Sequence, residues 1–254
     1  ARWGWQNTLL GFAAAFALII SAMAFWIVRD TAPENTDLLP AQIEAKQQLA
    51  AAAPAQAALK KAALSFRQAI ATAPFWQIFL GLFACGFSMN LLGTHGVPML
   101  MDHGFDAGSS AGGIGLIGLV AIFSTLALGR LSDIVPRRYI LAVIYLVRGL
   151  GFFGLVAVVH HWQLYAVAAI GGIVWAGSIA ASSAILGDLY GIKLVGLLYG
   201  WAYLGHQIGA MISSWLGGWA YEQFGTHWIA FGAAGILLGI AAIVSLKLPT
   251  KLKA

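Results

Sequence analysis

Seven apolar stretches divide the chain, at residues 5–28, 75–101, 107–128, 139–159, 164–186, 195–220 and 228–246. Each matches the ~20 residues a helix needs to cross ~30 Å of hydrocarbon. Lipid offers no partner to a backbone amide, so such segments must close their own hydrogen bonds as α-helices. A transmembrane barrel would show short alternating segments instead, and none occur. Composition follows suit: the chain is 60% hydrophobic and 9% charged, against roughly 25% charged residues in a soluble domain. The expected fold is all-α and polytopic, with about seven transmembrane helices.

Charge sets the expected orientation. Numbering the gaps alternately puts Arg29, Lys46, Lys60, Lys61, Arg67, Arg130, Arg137, Arg138, Lys193, Lys247, Lys251 and Lys253 on one side. The opposite gaps hold Asp102, Asp106, Glu222, histidines and neutral residues. Positive loops resist translocation, so the basic side is expected in the cytoplasm, with the N-terminus outside and the C-terminus inside. The formal charge of +5 is accounted for by these loops, so nucleic acid is not an expected partner. Cys85 is the only cysteine and excludes a disulfide within the chain. The first stretch lacks the basic start, short core and cleavage site of a signal peptide, and reads as a retained helix.

Three regions are expected: one transmembrane helix over 1–28, a cytoplasmic connector with amphipathic helices over 29–74, and a six-helix bundle over 75–254. In the connector, 41–53 and 55–71 have helical composition, punctuated by Pro40, Pro54 and Pro74. One orphan helix followed by six closely spaced ones suggests a larger polytopic protein cut near its middle.

The segment Gly129-Arg130-Leu131-Ser132-Asp133-Ile134-Val135-Pro136-Arg137-Arg138 resembles the signature loop of the major facilitator superfamily. Gly129, Leu131, Asp133, Arg137 and Arg138 keep that pattern. Ile134 and Pro136 depart from it, where a basic residue and a glycine are usual. Further segments resemble the bacterial monocarboxylate-transporter-like branch: Thr94-His95-Gly96-Val97-Pro98, Tyr145-Leu146-Val147-Arg148-Gly149, Gly205-His206-Gln207-Ile208-Gly209 and Trp215-Leu216-Gly217-Gly218-Trp219. The resemblance implies helices six to twelve of a twelve-helix carrier, with helices one to five absent. It implies secondary transport of a small organic anion across the bacterial inner membrane, with the proton as coupling ion. No cofactor or metal is implied, and no enzyme activity.

Arg148 is the sharpest candidate for a site. Ten residues beyond Arg138, it lies about 15 Å into its span, near the midplane, where an arginine costs roughly 2.5–3.5 kcal/mol to insert. It is read either as an anchor for a carboxylate or as a tie to backbone carbonyls of a neighbouring helix. His206, with Gln207 beside it, is a candidate for proton coupling, and otherwise a bridge between helices. Asn90 and His95 are candidates for an outer gate, with Pro98 ending or kinking their helix. Tyr203, with Trp175, Ser178 and Tyr199, supplies candidate aromatic and hydroxyl walls. Gly129, Asp133, Arg137 and Arg138 form the expected gating loop, a charged latch that breaks and remakes. Asp188 is expected to pair locally. Gly196/Gly200, Gly205/Gly209 and Gly235/Gly239 have the spacing of close helix crossings.

Three other readings fit single features. Seven helices suit a retinal-type receptor, but Lys247 lies only at the edge of the last span. Gly108-Ser109-Ser110-Ala111-Gly112 has the pattern of a hydrolase elbow, yet it opens a helical span instead of a strand-to-helix turn. A split or truncated half-transporter, inactive or acting only as an interaction partner, is the alternative to a carrier.

Overall fold

The computed structural model describes residues 5–26 and 64–250. Most of the connector and its expected helices therefore lie outside the described residues. The chain divides into two units, split between Lys61 and Ala62, which are taken separately. In the first, α1 covers Trp5–Trp26, 22 residues.

The second unit is all-helical among the described residues. It contains α2 (Phe66–Ile70), α3 (Ala73–Asp102), α4 (Ala107–Ile134), α5 (Arg137–Val156), α6 (His161–Ile173), α7 (Gly177–Tyr190), α8 (Ile192–Phe224) and α9 (Trp228–Leu246). Among the described residues five segments are long and apolar enough to cross a membrane: α3, α4, α5, the α6–α7 pair taken together, and α9. Helix α8 is longer than any of them, about 50 Å, but His206, Gln207, its glycines and its tryptophans make it less apolar. The protein is an all-α, multi-pass membrane protein.

Helix ends follow local chemistry. Ser65 opens α2 with a capping box to Gln68, which interrupts the continuous helix expected over 55–71. Asp106 caps α4 by accepting from the Ser109 amide at 2.9 Å. Gly191 and Gly225 take φ of 84° and 62° between α7, α8 and α9, a region that favours glycine. Pro98 lies inside α3 without ending it.

Helix α3 is the most interior, with Ile78, Leu82, Cys85, Leu91, Met99 and Leu100 fully buried. It packs chiefly on α8, while α5 packs on α9 and α4 on α6. The α3–α8 contact is backbone to backbone: a Cβ on Gly86 would strike the His206 carbonyl, and one on Gly209 the Phe83 carbonyl. Of the three expected glycine pairs, Gly205/Gly209 makes this crossing, whereas Gly196 and Gly200 face open space. Leu119, Ile122, Phe123 and Leu126 of α4 are exposed, the natural state of side chains solvated by lipid.

The span expected over 164–186 is broken. Val174, Trp175 and Ala176 leave the helix between α6 and α7. Gly171, Gly172 and Gly177 weaken helix propensity on both sides, and the freed carbonyls find a partner across the bundle.

Candidate functional site

That partner is Arg148. Its side chain is 1% exposed, and Nη2 donates to the Val174 carbonyl at 2.7 Å and to the Trp175 carbonyl. Nη1 donates to Cys85 Sγ at 3.2 Å. The guanidinium carbon lies 5.1 Å from the centroid of the Trp175 ring. Arg148 thus caps the C-terminus of half-helix α6 with its planar fork, and the reading as a tie to backbone carbonyls describes what the side chain touches. No carboxylate pairs with it among the described residues.

The same break exposes the start of α7 inside the bundle. Ala176 gives no side-chain cap, so the first amides of a 14-residue helix point at the junction without a side-chain acceptor. Ser178, fully buried, sits in that first turn, with Oγ 3.3 Å from Cys85 Sγ. Cys85 in turn lies 3.6 Å from Met89 Sδ. Arg148 Nε remains unpartnered. Guanidinium, helix N-terminus and hydroxyl together make a dry, electropositive junction suited to an anion.

His206 borders this junction from α8. It is 9% exposed, stacks on Tyr203 at 4.6 Å between centroids, and leaves both ring nitrogens unpartnered. Tyr199 continues the stack at 5.6 Å from Tyr203. Gln207 points outward from the bundle and is exposed.

Asn90 and His95 are not at the junction. Asn90 Nδ2 donates to the Ala210 carbonyl at 2.7 Å and to Ser214 Oγ; His95 Nε2 lies 3.0 Å from the Ser214 carbonyl. Both pin α3 to α8. Beyond them, His227 Nε2 meets Asp102 Oδ2 at 2.9 Å, tying the far ends of α3 and α9.

At the opposite end the basic loop lines a cleft of about 410 Å³ with Ser132, Asp133, Arg137, Arg138, Asp188 and Leu248 among its walls. The expected latch differs in its acid: Arg137 pairs with Asp188 of α7, while Asp133 is exposed in the last turn of α4. The helical run from Arg130 through Ile134 carries Asp133 away from the arginines, which start the next helix. Arg138 donates to the Leu248 carbonyl at 3.1 Å and to the Tyr139 hydroxyl at 2.8 Å. Gly129 lies one turn before, exposed in α4.

The hydrolase pattern dissolves into a helix start. Asp106 accepts from the amide and hydroxyl of Ser109, and these bonds hold its carboxyl below the usual range. Ser110 Oγ is buried without a partner.

The sequence profile of the Major Facilitator Superfamily matches residues 1–160 and, again, 126–253. The chain belongs to the major facilitator superfamily. A relative named as an uncharacterized MFS-type transporter, YcxA of Bacillus subtilis (strain 168), is 25% identical over 175 residues, 66% of this chain and 42% of its own length. The chain thus spans less than half of that relative. Membership in this superfamily points to a transporter rather than an enzyme.

Sequence reasoning missed two parts of the junction. In the sequence Cys85 is only a cysteine without a disulfide partner, and the apolar run over 164–186 hides the break at Val174. The glycines at 171, 172 and 177 were the available signal for the break.

Proposed function

We propose that this bundle, paired with a second one, is half of a secondary carrier for a small monocarboxylate or similar organic anion, in a bacterial inner membrane with its basic end in the cytoplasm. Two bundles would rock about a site near the midplane. The observation that carries this reading is the broken span: a half-helix N-terminus beside a buried guanidinium that has no carboxylate partner among the described residues. Discontinuous helices aim their positive ends at anionic substrates in other carriers. Trp175, half-buried at the break, offers a wall, and Tyr203, stacked on His206, offers a second aromatic face. Gln207 faces where a second bundle would pack. Asn90 and His95 serve here by keeping α3 and α8 moving as one body. Arg137, Arg138 and Asp188 form the cytoplasmic latch, with Asp133 on the wall of the same cleft and Gly129 one turn before it. The proton is the proposed coupling ion.

Uptake of labelled pyruvate into proteoliposomes tests this. The 254-residue chain alone is expected to show none. Co-assembled with its preceding bundle, it is expected to take up pyruvate under an inward proton gradient and to ignore cationic amines and neutral sugars. Uptake of sugars or amines instead would refute the anion reading. Absence of all uptake in the assembled pair would favour a half-transporter that acts only as an interaction partner.

A further inference from the structure

A guanidinium stays charged at any pH a protein meets, and a buried charge needs compensation. Around Arg148 the compensation is incomplete. The C-terminus of α6 offers about half a negative charge, through the Val174 and Trp175 carbonyls. Among the described residues no carboxylate reaches it. The remaining contact is Cys85 Sγ, at 3.2 Å.

We propose that Cys85 and Arg148 form a thiolate–guanidinium pair, and that this pair is the exchangeable proton site of the bundle. The surroundings serve both forms of the sulfur. As a thiolate, it accepts from Arg148 Nη1 and from Ser178 Oγ at 3.3 Å. As a thiol, it donates to Met89 Sδ at 3.6 Å. The departing proton has a receiver: His206 packs on α3 at Gly86, the chain neighbour of Cys85, and is nine-tenths buried with no hydrogen-bond partner on either ring nitrogen. In the transfer the S–H bond breaks, an N–H bond forms on the imidazole, and nothing is oxidised. The groups around Cys85 are Arg148 from α5, with Tyr145 against Gly81 one turn before the sulfur, Ser178 from α7, and His206 from α8. Arg148 supplies the only fixed charge among them.

One consequence rests on the transport reading above. An anion that engages Arg148 competes with the thiolate for the same guanidinium, so Cys85 takes up a proton as the anion binds. One proton then travels with each monoanion.

The pair itself can be read without any transport. Cys85 is the only cysteine, so the S–H stretching band in the infrared reports on it alone, with Cys85→Ser as the blank. In the full chain in nanodiscs at pH 7, the wild type is expected to show little S–H band, and acid to bring it up. Arg148→Gln is expected to show the full band at pH 7, and Arg148→Lys, which keeps the charge, to resemble wild type. Alkylation by N-ethylmaleimide at pH 7 should be about tenfold or more slower in Arg148→Gln, the change that one unit of displaced ionisation produces. Circular dichroism checks that each variant is folded. A full S–H band in the folded wild type at pH 7, unchanged by acid, would overturn the proposal and leave the anion reading standing.

Discussion

Two arginines on one helix meet opposite fates. Arg137 opens α5 at the basic end, where its side chain is 29% exposed and pairs with Asp188, itself 50% exposed. Arg148, eleven residues on and about 16 Å deeper, is 1% exposed and meets two carbonyls and a sulfur. The exposed arginine has a full counter-charge in a screened setting, where an ion pair is worth about 0–1 kcal/mol. The buried one has no carboxylate among the described residues, yet each of its bonds forms where water is absent and an unmade bond is costly. Burial, not formal pairing, decides which of the two matters to the fold.

The sharpest way to break that comparison is Arg148→Met. It relieves a buried charge but leaves the Val174 and Trp175 carbonyls without donors in a dry core. A buried polar group left unsatisfied costs about 1–3 kcal/mol, so the two carbonyls together cost roughly 2–6 kcal/mol, less what relief of the buried charge returns. Thermal unfolding in detergent reads it. Unchanged stability would mean that the break caps itself and that Arg148 is free for another task.

Next in size is a contrast between glycines on α8. Gly209→Ala drives a methyl against the Phe83 carbonyl, and overpacking of this kind costs about 1–3 kcal/mol. Gly200→Ala adds its methyl where no atom lies within 4 Å and should stay within ~0.5 kcal/mol of wild type. Equal effects at the two positions would show that helix propensity, not the α3–α8 contact, governs both. The same assay places the helix crossing on the scale set by Arg148.

The two glycine pairs also show what was legible in the sequence. Spacing marked Gly196/Gly200 and Gly205/Gly209 alike as possible crossings, because periodicity fixes that two residues share a face but not which face meets a neighbour. The class of fold was legible for a firmer reason: lipid forbids unpaired backbone, so long apolar runs admit one conformation. Arg148 stood out because a charge at that depth is costly wherever it points. Its partners did not stand out, since Cys85 and Val174 lie 63 and 26 residues away in sequence and are ordinary apolar-span residues taken singly. Asp188 as the partner of Arg137 was missed for the same reason: adjacency in the signature loop favoured Asp133, while the turn between α4 and α5 separates them.

On the exposed side of the comparison, Arg137→Gln should cost less than about 1 kcal/mol, and raising salt should shrink even that difference. The variant tests the latch more than the fold. If Arg137 and Asp188 hold the basic end closed, the cleft lined by Ser132 and Arg138 becomes more open to a hydrophilic thiol reagent once a cysteine is placed at Ser132 in a Cys85→Ser background. Accessibility unchanged by Arg137→Gln would reduce the pair to a surface contact.

The smallest effect concerns a charge wholly in solvent. Asp106 caps α4, and its bonds from Ser109 hold the carboxyl below its ordinary value of 3.8. A depressed folded-state value means that the stabilisation is complete above about 3.8 and is lost as pH falls through the lower, folded value. Asp106→Asn keeps a capping oxygen but cannot titrate, so its stability should match wild type in acid and fall slightly behind near neutrality. Unfolding followed from pH 6 downward reads the difference. If the two curves stay parallel across that range, the carboxylate charge adds nothing to the cap. The lesson of Arg137 would then extend to the far end of the bundle: at the membrane surface the hydrogen bond is what holds, and the charge is incidental.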